Sequence, residues 1–227
     1  MSAPPEPPPP PAPPVGASRY GWFVGVIVVL IMAYILVNTL RTNGPGASGP
    51  KPGARLHPFA APLVLSQLDG DANVATKANQ GSAGKVPACA VHLAGSINSC
   101  TLTNKGPLVL GFYFTRGASC SGSFDTMQRL SAQTPGVQFA GVVVRGDRGD
   151  ARNVVRKHHW TFPIAYDHDG DVADLYGIAG CPEVVLAYPG GIVRETVLGR
   201  DRAERRLERY VRALVTASVR RGWKMPV

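Results

Sequence analysis

From Tyr20 to Leu40 the chain carries 21 successive residues without a charged side chain, among them GWFVGVIVVLIMAYILV. A helix rising 1.5 Å per residue over that stretch reaches about 31 Å, the hydrocarbon thickness of a bilayer. Tyr20 and Trp22 stand where an interfacial aromatic would. A cleaved signal peptide is the competing reading, but the preceding stretch is long, has Arg19 as its only basic residue, and the apolar run exceeds a usual signal core. The sequence therefore predicts one transmembrane helix over 20–40. Before it, residues 1–19 (MSAPPEPPPPPAPPVGASR) form a Pro-rich tail that cannot build a core and is expected to be disordered. After it, 41–63 reads as a Gly/Pro-rich linker. That leaves 64–223 for one folded domain, its core about 86–220.

Among the 227 residues, 24 Lys and Arg against 15 Asp and Glu give a net charge of +9. Such a balance favours anionic surfaces, and with the apolar helix it makes the lipid bilayer the expected partner. Basic and aromatic residues are not interleaved, so nucleic acid is not an expected partner. All four cysteines follow the apolar stretch and none forms C-x-x-C or a Cys/His cluster, so neither a metal nor another cofactor is expected. Arg41, Lys51 and Arg55 outnumber Arg19 across the helix, which by the positive-inside rule puts the domain in the cytoplasm. Paired cysteines argue for an oxidising compartment instead, and the expectation taken here is an extracytoplasmic domain on a single-pass membrane protein.

Within the domain, Cys89–Leu93 and Ser96–Cys100 flank Ala94-Gly95, the pattern of a two-residue hairpin. In that register Cys89 opposes Cys100, close enough for a structural disulfide. The run Pro107–Phe114 (PLVLGFYF) suits a strand buried on both faces, and VQFAGVVV over 137–144 a second. Helical patterns follow at 121–130, 150–158, 171–176 and 201–219, a short extended segment at 162–166, and a hairpin at 184–198 turning on Pro189-Gly190-Gly191. The order βαβα then ββα predicts an α/β sandwich, a mixed central sheet flanked by helices.

The segment Leu108-Val-Leu-Gly-Phe-Tyr-Phe-Thr-Arg-Gly-Ala-Ser-Cys120 resembles the thioredoxin-like superfamily, in particular its membrane-anchored TlpA-type and redoxin members. There a buried strand ends in an aromatic pair and a W-C-x-x-C loop opens a helix. Cys120 falls on the second cysteine, Gly117 on the first and Arg116 on the tryptophan, so the motif is a degenerate G-x-x-C, and Thr115, Arg116, Gly117, Ala118 and Ser119 form the active-site loop. Cys181-Pro182 takes the place of the cis-proline, and the resemblance covers about 86–220. It implies a thioredoxin-like fold and makes Cys181 a neighbour and partner of Cys120.

An exchanger needs an attacking thiolate and a second thiol to resolve the mixed disulfide. With Gly117 at the attacking position, the resemblance implies exchange through Cys120 and Cys181 beside Pro182, with a protein thiol or disulfide as partner. Two alternatives remain open. One is a redox-inactive binding or scaffold module whose disulfides are structural. The other is a one-cysteine peroxidase, which lacks the family's threonine at Gly117 and an arginine near Cys181. Asp167, Asp169 and Asp171 miss a calcium loop's glycine and glutamate positions.

Overall fold

In the computed structural model, which describes residues 19–41, 48–79, 84–115 and 120–225, the chain divides into two units, 1–43 and 44–227. The first contains helix α1 (Arg19–Arg41), whose described side chains, 21–37, are apolar around the whole circumference and exposed. Counted over described residues alone, no helix is long and apolar enough to cross a membrane. The Pro-rich tail 1–18 lies outside the described residues.

The second unit is built on a five-stranded mixed sheet of order β5-β4-β3-β6-β7. β3 (Leu108–Phe114) is central, parallel to β4 (Gln138–Val144) and antiparallel to β6 (Glu183–Ala187). β5 (Ile164–Asp167) lies parallel to β4 at one edge, and β7 (Val193–Leu198) antiparallel to β6 at the other. Side chains alternate between two cores, as strand geometry requires. Val109 and Tyr113 join the core under α3 (Ser121–Gln133), α4 (Arg148–Lys157) and α6 (Leu207–Arg220). Leu108, Leu110 and Phe112 join the opposite one, under α2 (Ser99–Lys105) and α5 (Asp171–Tyr176). The predicted last helix is broken: Asp201–Arg205 is a π-helical turn ahead of α6.

Residues read as linker up to 63 differ from that expectation, because from Gly49 onward the segment closes the sheet. Gly53 N donates to Val193 O and Leu56 N to Gly191 O, each 2.8 Å, which covers the β6–β7 turn and the first residue of β7. The chain then crosses the α2–α5 face, burying Leu56, Phe59 and Ala61, and forms β1 (Ala60–Pro62). At the far side Val64 N donates to Ile164 O at 2.8 Å, covering β5. One segment thus engages both edge strands at their starts, where free backbone would otherwise invite pairing with another chain. Arg148 and Arg152 hold its exit: Arg148 donates to Leu63 O (2.6 Å) and Leu68 O (2.7 Å), and Arg152 to Ser66 O (2.7 Å).

The predicted hairpin at 89–100 is also corrected. The turn exists, with Ser96 N donating to Leu93 O at 3.1 Å, but the following strand β2 (Ser96–Asn98) pairs with β1 instead of with 89–93. Asn98 decides this. Its Oδ1 accepts from Cys100 N (2.9 Å) and Thr101 N (3.3 Å), which caps α2 and coils the residues expected to extend. Its Nδ2 donates to Ala88 O (2.8 Å) and Val91 O (2.9 Å), drawing a short 3-10 turn, Ala88–Ala90, onto the helix start.

Candidate active site

Helix α3 approaches the sheet closely because two glycines lie beneath it. Gly111 and Gly141 pair across β3 and β4, and a Cβ on either would come within 3.0 Å of the Phe124 ring. The fully buried Phe124 fills that space and makes ring contacts with Tyr113, Trp160 and Phe162. This packing fixes the helix's first residue, and Cys120 stands there as N-cap, its carbonyl accepting from Ser123 Oγ at 2.8 Å.

Cys181 reaches the same point from the other side of the sheet's end. Gly177, in the left-handed region at φ +65°, stops α5, and the chain then passes through a cis Cys181–Pro182 peptide into β6. The two cysteines, 61 residues apart, form a disulfide with Cα atoms 5.7 Å apart. Cys120 is fully buried and Cys181 half-buried. Cys89 and Cys100 form a second disulfide, Cα to Cα 5.5 Å. Of the expected active-site loop, Thr115 is half-buried just past β3, while Arg116, Gly117, Ala118 and Ser119 lie outside the described residues.

Sequence reasoning missed two features of this neighbourhood. Glu183, next after Pro182, is buried with no hydrogen-bond partner for Oε1 among the described residues, and burial pushes its carboxyl up to about 7. Its side chain points to the α2–α5 face, since it pairs with Phe112. A charged residue opening an apolar strand, EVVLA, was the available signal. The second is Asp125, whose Oδ1 accepts from Trp160 Nε1 at 2.8 Å and lies 3.0 Å from His158 Nδ1. His158 stacks on Trp160 and faces Asp125. Burial, then Asp125, raises the Tyr113 hydroxyl above its ordinary range.

Asp167 is fully buried and accepts from Val172 N (3.2 Å) and Ala173 N (3.0 Å), which caps α5; burial still pushes it up to about 6. Among the described residues, Asp71, His168 and Asp169 bring ligand-type atoms within 4.8 Å of one another, all three exposed.

Chemically, the Cys120–Cys181 bond is asymmetric. Cys181 is the more accessible residue, and a thiolate released at Cys120 would sit at the start of a 13-residue helix, where the macrodipole favours negative charge.

No family model matches the chain. Over 112 residues it is 31% identical to the thiol-disulfide oxidoreductase ResA of Oceanobacillus iheyensis, a match spanning 48% of this chain and 57% of that relative. A protein of Chlorobium tepidum assigned as the thiol:disulfide interchange protein DsbE superposes with a TM-score of 0.55 at 22% identity, over 72% of this chain and 97% of its own. A hypothetical protein of Sinorhizobium meliloti superposes at 0.54 with 13% identity, over 74% and 85%. At these identities the two superpositions speak to fold alone. The second unit thus has an α/β thioredoxin-like fold, a mixed sheet flanked by helices.

Proposed function

We propose that the protein exchanges thiols and disulfides through Cys120 and Cys181, as an extracytoplasmic domain anchored by α1. The observation that carries this is the meeting of a helix-start cysteine with the cysteine preceding the cis-proline, two residues remote in sequence. A partner thiolate attacks the Cys181 sulfur, the Cys120–Cys181 bond breaks, and Cys120 leaves as thiolate. The partner's second thiol then attacks its own sulfur in the mixed disulfide and expels Cys181. Two electrons and two protons pass from the partner dithiol to the cysteine pair. Anchoring rests on the 21-residue uncharged stretch and its apolar circumference. Location rests on two disulfides, which persist in oxidising compartments.

The full burial of Cys120 favours a second reading, a redox-inactive scaffold in which this bond is a staple. A one-cysteine peroxidase fits less well, because peroxide would have to reach a free thiolate at a buried and paired position. Dithiol oxidation by the full chain in detergent separates the first two. Exchange predicts that Cys181→Ser and Cys120→Ser each slow the single-turnover oxidation of one equivalent of dithiol by at least about 100-fold. The staple predicts no oxidation above the solvent rate even in the unsubstituted protein.

A further inference from the structure

We infer that the Cys89–Cys100 disulfide is a second exchange site, one that takes small anionic thiols. Cys89 is exposed and Cys100 half-buried, so this bond is more open than the buried Cys120 allows its counterpart to be. Both sulfurs' residues line a cavity of about 380 Å³ with Arg55, His92, Thr101 and Asn104, roomy enough for a tripeptide-sized thiol. Arg55 is exposed, no carboxylate is among the described lining residues, and His92 adds hydrogen-bonding capacity. The cavity therefore matches a ligand with negative charge near its sulfur.

The local fold has ties besides the bond. Asn98 ties Ala88 and Val91 to the start of α2 by two donated hydrogen bonds, and β2 is held by β1. The disulfide can open while the turn and the helix stay in register. An attacking thiolate bonds to the exposed Cys89 sulfur, the Cys89–Cys100 bond breaks, and Cys100 takes the electron pair and then a proton. A second thiol displaces Cys89, giving the oxidised small disulfide and two protein thiols.

The test is to incubate the full chain with reduced glutathione or, separately, with cationic cysteamine at equal thiolate concentration. Differential alkylation and peptide mapping then read the two cysteine pairs independently, so this site and the Cys120–Cys181 site stand or fall apart. Cys89 and Cys100 are expected to become alkylatable while the far-UV circular dichroism is unchanged, at least about fivefold faster with glutathione, with the preference falling towards unity in Arg55→Gln. Opening only with loss of the folded spectrum, or at a rate indifferent to thiol charge or to Arg55, overturns the inference.

Discussion

Gly111 and Gly141 face one another across the two central parallel strands, and the ring of Phe124 lies on both. Placement of Cys120 depends on this contact, because Phe124 sits one helical turn beyond it in α3. Adding a methyl at either glycine drives a Cβ to 2.6 Å from the Met127 sulfur or from a Phe124 ring atom. Gly111→Ala and Gly141→Ala should each destabilise the domain by about 1–3 kcal/mol, read as a lowered denaturation midpoint. Exchange should fall with them, since the helix carrying Cys120 must shift.

Arg148 should be costly to remove. Its guanidinium satisfies carbonyls of Leu63, Ser66 and Leu68, backbone groups left without strand partners where the segment leaves the edge of β5. Arg148→Met should lose about 2–3 kcal/mol of stability. Amide exchange should accelerate over 63–68 and remain unchanged in the β3–β4 core, a local signature that mass spectrometry resolves.

Stability should fall as pH rises from about 4 to 7. Glu183 and Asp167 both have folded-state values raised by burial, to about 7 and about 6, above ordinary values of 4.5 and 3.8. Across those windows the folded state holds more protons than the unfolded one, so raising the pH favours unfolding. For Glu183 alone the full swing is at most about 3.5 kcal/mol, at about 1.4 kcal/mol per pH unit. Glu183→Gln should raise the melting temperature near pH 8 and flatten the profile between pH 5 and 7. The same slope in the variant as in the unsubstituted protein would remove Glu183 as its source.

Much of the domain was legible because its signals are carried by side chains. The unbroken apolar run Leu108–Phe114 announces a strand buried on both faces, and Pro189-Gly190-Gly191 announces the β6–β7 turn, where Gly190 and Gly191 adopt φ of +80° and +81°. α5 was read at its observed bounds, since Gly170 and Gly177 punctuate both ends. What was missed is held by backbone groups or by single polar atoms. Residues 53–56 hold the start of β7 through N–H and C=O bonds that leave no side-chain period, so Gly and Pro made the segment look like linker. One asparagine turned the expected hairpin into a capped helix, yet the cysteine contact survived because the same amide gathers both segments. At the candidate site, the Cys120–Cys181 contact was suggested by family resemblance, Glu183 left one sign in the charge that opens EVVLA, and the Asp125–His158 pair became visible only with the packing around it.

Trapping the mixed disulfide tests the exchange proposal most directly. In Cys120→Ser the resolving sulfur is gone, and Cys181, half-buried at the mouth of the sheet, should hold an oxidised partner covalently. Incubation with an excess of a disulfide-bonded peptide, followed by acid quench and intact-mass analysis, should give one adduct that maps to Cys181 and disappears on adding reductant. An unmodified mass for the folded variant under the same conditions would contradict exchange at this site and leave the bond as a staple.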